Sequence, residues 1–286
     1  MRRFKVLSIN TNDGALLAAN AASRAQEMMD AAMTRLSTGK KLNTAKDAPG
    51  SLSVAIRMAA EVNGLAVSLR NASDAQSAID TGEGALAEVH TLLLRMRELA
   101  VSAATETATS SDRAALNTEA VALEAEIDRI GADTTWGGIK ILDGTYSKGA
   151  PITFQVGPRS GNTLTFTMGY IKGTVAATAQ GTLGLVNSIT TRTLASAYIV
   201  KIDTAISIVS SRRGSFGAVS NRLDSTITSL SNMKANIELA KGQIVDTDYA
   251  TETANLARAQ ILLQAATAML AQANAAKNNT LQLING

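Results

Sequence analysis

The chain has 286 residues, 45% apolar but only 3% aromatic, with one tryptophan, three prolines, no cysteine and a net charge of +3. The length admits one large or two ordinary domains. The missing cysteines exclude disulfides, thiol catalysis and Cys-based metal sites, and there is neither the clustered basic face nor the stacking rings of a nucleic-acid surface. Alanine and small polar residues fill the composition instead, which suits close helix–helix packing better than a thick globular core.

Residues 1–9 read as an extended, basic lead. Met1-Arg2-Arg3-Phe4-Lys5 carries the charge of a signal peptide's first part. The apolar run that should follow stops at Asn10-Thr11-Asn12-Asp13, so export by the general secretory route is not expected. No stretch reads as the ~20 apolar residues that span a bilayer. Helical patterning runs from about Asn10 to Leu36, with Leu17, Ala21, Met28, Ala32 and Leu36 on one side. Ser37 to Lys41 breaks it, and Asp47-Ala48-Pro49-Gly50 is a turn or helix start. A long helix fits Leu52 to about Ala104, where Leu65, Ala72, Ile79, Leu86, Leu93 and Ala100 recur at seven. Ser110 or Ser111-Asp112 offers an N-cap for a shorter helix bearing Leu116, Ala120, Leu123, Ile127 and Ile130.

The character changes at Gly131. Asp133 to Gly138 and Asp143-Gly144 are turn chemistry. Residues 152–156 and 163–167 alternate with period two around Gly157-Pro158-Arg159-Ser160-Gly161, a hairpin signature. Residues 169–190 read as further strand or loop. From about Thr193 a second long helix begins, and Ile202, Val209, Phe216, Leu223, Leu230, Ile237 and Ile244 sit seven apart without a break. A strict seven-residue repeat keeps one apolar stripe on the same side of an under-wound helix, the condition for coiled-coil packing. At 1.5 Å per residue this span is on the order of 65 Å, too long for the core of a compact domain. Asp246-Thr247-Asp248 then caps a final helix. Its Leu256, Leu263 and Leu270 alternate with Ala259, Ala266 and Ala273 as a narrow a/d edge. The expected fold class is mainly α: a coiled-coil-like helical rod of N- and C-terminal segments, with a small β-hairpin region at about 131–190. The expected domains are 1–44 with 245–286, pairing the two termini, and 45–244.

Several of these stretches resemble bacterial flagellins. Arg35-Leu36-Ser37-Thr38-Gly39-Lys40-Lys41-Leu42-Asn43-Thr44-Ala45-Lys46-Asp47 resembles the family's N-terminal signature. Arg70-Asn71-Ala72-Ser73-Asp74, Glu83-Gly84-Ala85-Leu86, Arg95-Met96-Arg97-Glu98-Leu99-Ala100-Val101 and Gly138-Ile139-Lys140-Ile141-Leu142-Asp143-Gly144 follow in the family's order. On the C-terminal side Asn221-Arg222-Leu223-Asp224-Ser225-Thr226-Ile227, Asp248-Tyr249-Ala250-Thr251-Glu252 and Leu270-Ala271-Gln272-Ala273-Asn274 resemble it too. The likeness fails only around residues 169–195. At Asp47-Ala48-Pro49-Gly50-Ser51 the chain departs from the acidic pair and Ala-Ala-Gly that many members carry.

The resemblance implies the subunit of the flagellar filament, a short form without large outer domains. The terminal helices would form an inner tube and a helical rod with a β-hairpin the outer one. It also implies secretion through the flagellar type III apparatus, without a cleaved signal peptide. The implied partners are further copies of the chain, an export chaperone at the C-terminal helix, and the filament cap and hook-junction proteins. A host Toll-like receptor is a further one, through Arg95, Leu99 and Glu119, although Leu94 and Ser102 stand where glutamines are usual. Subunit packing is expected from Leu17, Met28, Leu36, Leu256, Leu263, Leu270, Ala259, Ala266 and Ala273. The rod core is expected from Leu65, Ile79, Leu86, Leu93, Val209, Phe216, Leu223, Leu230 and Ile237. Two alternatives are a hook–filament junction protein, which shares such terminal helices, and a surface adhesin, which needs a pocket within 145–195.

No catalytic, cofactor or metal site is read from the residues. His90, the lone histidine, lacks convergent partners, and Asp246 and Asp248 fit helix capping. Glu124, Glu126 and Asp128 read as a solvated or ion-paired face, Arg95 and Arg97 as salt-bridge partners, and Met28, Met29 and Met33 as packing residues. No His-Glu-x-x-His insert is present.

Overall fold

The computed structural model describes residues 11–144, 151–172, 183–185 and 188–285, with side chains to 279. The basic lead at 1–9 and parts of the 169–190 stretch lie outside the described residues. Five helices, α1 (Asp13–Thr38), α2 (Pro49–Ala104), α3 (Ser110–Asp133), α4 (Arg192–Val245) and α5 (Tyr249–Asn285), carry two short strand pairs between α3 and α4. The chain resolves into two compact units, residues 1–60 with 237–286 and residues 61–236.

The helix ends follow capping chemistry. Asn12 caps α1, its side-chain oxygen accepting from the Ala15 N–H at 3.0 Å. Pro49 opens α2, a first-turn position where a missing N–H costs nothing. Just before it, the Asp47 carboxylate accepts from the backbone N–H groups of Thr44 and Asn43, which hold its pKa below the ordinary carboxylate value. The cap of α3 is Thr109 rather than Ser110 or Ser111. Thr109 and Asp112 form a reciprocal capping box, which satisfies two backbone donors where a lone serine would satisfy one. Asp248 caps α5, with the Thr251 hydroxyl and the Ala250 and Thr251 N–H groups holding its carboxyl below the usual range.

In the larger unit the two heptad stripes become the interior. Leu65, Ala72, Ile79, Leu86, Leu93 and Ala100 of α2 are fully buried, as are Ile202, Val209, Phe216 and Leu223 of α4, with Leu230 nearly so. Ile237 and Ile244, at the end of the α4 stripe, belong to the smaller unit and are half-buried. Gln76 Nε2 donates to Ser220 Oγ at 2.6 Å, Arg213 pairs with Glu83 at 2.8 Å, and Arg97 with Asp203 at 2.7 Å. Rising numbers on α2 meet falling numbers on α4, so the helices run antiparallel. The third helix, α3, folds back on α2, where Arg113 donates to the Ala103 and Thr105 carbonyls and helps satisfy the end of α2. Both α2 and α4 contain a segment long and apolar enough to cross a bilayer by length and composition, contrary to the reading from sequence; their heptad residues pack inside this unit.

The expected hairpin is present as β3 (Ile152–Gln155) and β4 (Thr163–Phe166), antiparallel with Ile152 opposite Phe166 and Gln155 opposite Thr163. Alternation places Ile152, Leu164 and Phe166 inward. Phe154 stacks on Phe166, and Phe166 meets Phe216 of α4 edge-on at 6.4 Å between ring centres. A second pair, β1 (Thr135–Trp136) and β2 (Ile139–Lys140), occupies the segment read as turn chemistry. Gly137 and Gly138 both take positive φ and join two strands too short to show a period in sequence.

Candidate functional site

The smaller unit is built on the pairing of α1 with α5. Asn12 Nδ2 donates to the Ala273 carbonyl at 3.1 Å, Gly14 lies against Ala273, and at the other end Arg35 pairs with Glu252 at 3.3 Å. These contacts fix an antiparallel register. Ala18, Ala25 and Ala32, one heptad apart and buried, therefore fall opposite the gaps between Glu252, Ala259, Ala266 and Ala273. Alanine meeting alanine allows two helix backbones to approach closely, and excludes large side chains from the contact. Below it, the Lys41 N–H donates to the Val245 carbonyl and the Thr247 N–H to the Gly39 carbonyl, tying the loop after α1 to the start of α5. Glu252 is buried in the first turn of α5 and Arg35 lies in the last turn of α1, so each charge also complements its own helix dipole.

Several large apolar residues of the α1–α5 pair face outward. Leu17 is 70% exposed, Met28 48%, Met33 53% and Met269 63%, with Leu16, Ile261 and Leu262 also exposed. At 3.6 residues per turn Leu17 lies roughly 100° around α1 from Ala18, and Met28 roughly 40–60° from Ala25 and Ala32. On α5 the Leu256, Leu263 and Leu270 row is half-buried, as are Leu36 and Ala273, while Ala259 and Ala266 are buried. Sequence reading did not single out Ala18, Ala25 and Ala32 as a row; their seven-residue spacing, matching that of Ala259, Ala266 and Ala273, was the available signal. A monomeric helical hairpin puts its leucines in and its alanines anywhere. This pair buries alanines fully and its leucines at most in part, leaving an apolar surface of the kind that marks an interaction site.

On the larger unit, Arg95 is exposed and donates to both Glu119 (2.8 Å) and Glu98 (3.0 Å), which raises its pKa. Leu99, between them in sequence, is only 3% exposed and belongs to the interior. The structure thus brings Arg95 and Glu119 together at the surface and turns Leu99 away from it. Glu124 is not solvated: it is 8% exposed, and desolvation, with Asp128 nearby, raises its pKa. Tyr198's own burial, and secondarily the Glu124 charge, raise the pKa of its hydroxyl. Among the described residues no group of three or more His, Asp or Glu side chains could hold a metal.

Residues 9–147 match the family described as the bacterial flagellin N-terminal helical region, and residues 199–284 match the bacterial flagellin C-terminal helical region. A flagellin of Halalkalibacterium halodurans is 40% identical over 253 residues, covering 88% of this chain and 90% of that protein. A Bacillus subtilis flagellin is 33% identical over 304 residues, covering 97% and 100%. A solved structure assigned to a flagellar hook-associated protein of Vibrio parahaemolyticus shares 17% identity at a TM-score of 0.58, covering 70% of this chain and all of that one, a likeness of fold alone.

Proposed function

The chain belongs to the bacterial flagellin family and is a subunit of the extracellular flagellar filament, and from that premise we propose how its terminal helices drive assembly. The observation that carries the proposal is the packing of α1 and α5, with alanines buried between the helices while Leu16, Leu17, Met28, Met33, Ile261, Leu262 and Met269 stay exposed. The alanine seam removes little apolar area from water, at about 25 cal/mol per Å², while ordering each residue costs roughly 1–2 kcal/mol. Neighbouring copies supply the missing cover, so folding of the pair and polymerisation are one event. The contacts are head-to-tail, because only a heterologous interface propagates into an open helical array.

On this reading residues 1–44 with 245–286 form the inner tube and 45–244 the surrounding rod. Leu17, Met28, Leu36, Leu263 and Leu270 pack between subunits. The exposed apolar residues of α5, Ile261, Leu262 and Met269, are also where an export chaperone would bind before assembly, during export by the flagellar type III route. The role is structural rather than catalytic: capping and ion pairing employ Asp112, Asp248, Arg95 and Arg97. Circular dichroism of purified monomer against filament tests the coupling. Helicity should rise on polymerisation; equal helicity in both states refutes coupled folding.

A further inference from the structure

We propose that Met28, Met33 and Met269 are an oxidation-sensitive set whose conversion to sulfoxides in the unassembled chain blocks polymerisation. The proposal rests on the assembly reading above. These three thioethers are 48%, 53% and 63% exposed, all on the α1–α5 pair, whereas Met96 and Met168 in the larger unit are 0% and 2% exposed. Susceptibility follows access, and with no cysteine in the chain no thiol competes for the oxidant. With hydrogen peroxide the sulfur lone pair attacks one peroxide oxygen and the O–O bond breaks. That oxygen stays as the S=O, the other leaves as water with both protons, and sulfur loses the two electrons that peroxide gains. The product is polar and stereogenic where the surface was apolar and adaptable. Burying it between subunits without a hydrogen-bond donor carries the penalty of any unpaired polar group, roughly tenfold or more in affinity for each.

Purified monomer is treated with hydrogen peroxide, sulfoxides are mapped by peptide mass spectrometry, and elongation of sonicated filament fragments gives the critical concentration. The 44%-exposed Met233 of the larger unit reports the dose. The treated protein should need at least about tenfold more subunit to elongate, and methionine sulfoxide reductase should restore it. A Met28→Leu, Met33→Leu, Met269→Leu chain should show the same critical concentration before and after treatment. In peroxide-treated filaments the three residues should stay unoxidised. Normal elongation by the triply oxidised chain overturns the proposal and leaves the filament reading intact, as does equal peroxide damage to the leucine chain. Failure of untreated monomer to elongate overturns the assembly reading, and this proposal with it.

Discussion

Leu17→Ser separates what the isolated chain needs from what the filament needs. With 70% of Leu17 in solvent, the substitution removes almost no contact from the free subunit. Monomer stability should therefore change by no more than about 0.5 kcal/mol, the usual range for a surface site. Full burial of a leucine side chain is worth about 1.5–3 kcal/mol, so covering the exposed share in the filament contributes roughly 1–2 kcal/mol per subunit. The critical concentration should rise by about 5- to 30-fold. Sedimentation of seeded reactions over a concentration series measures it, and thermal melting of the monomer followed at 222 nm supplies the control. An unchanged critical concentration refutes the idea that this face is covered on assembly. A melting temperature lowered by many degrees would instead show that Leu17 is buried within the free chain.

Leu263→Asp or Leu270→Asp should abolish filaments while the larger unit keeps its cooperative melt, because a carboxylate cannot be buried between subunits without a partner; normal polymer from either is the contrary result. Glu124→Gln tests the buried carboxyl of α3. The folded-state pKa of Glu124 is raised by desolvation, so its penalty is absent below the ordinary carboxylate value and grows as pH rises through the raised one. The glutamine variant should melt higher than the parent at neutral pH and converge with it in acid; a parallel pH profile for both argues against the shift. Gly131→Ala places a methyl 2.3 Å from the Ile171 carbonyl oxygen. Backbone must move, so the larger unit should lose about 1–3 kcal/mol, measurable by urea denaturation.

The long heptad runs were legible because a seven-residue period is a property of sequence that survives any packing. Leu65 to Ala100 and Ile202 to Leu230 could only be satisfied by turning one face inward, and the structure buries them. The β3–β4 hairpin was legible for the same reason at period two. Capping was legible to within a residue: Thr109 took the cap of α3 because its partnership with Asp112 is reciprocal, which a list of cap-forming residue types does not reveal. The β1–β2 pair left no periodic trace, being two residues on each side.

Sequence alone determined that the two ends are helical, apolar and short of aromatic bulk. Which row of α1 meets α5 was decided only in three dimensions. Leu17 and Met28 have the greater transfer free energy, yet Ala18, Ala25 and Ala32 occupy the contact. The reason is geometric: Asn12 and Arg35 anchor α1 to Ala273 and Glu252, and at that register the row turned toward α5 is alanine, which lets the backbones approach and leaves Leu17 and Met28 outside the contact. Hydrophobicity set what must be covered, and the distance of closest approach set what this chain could cover by itself.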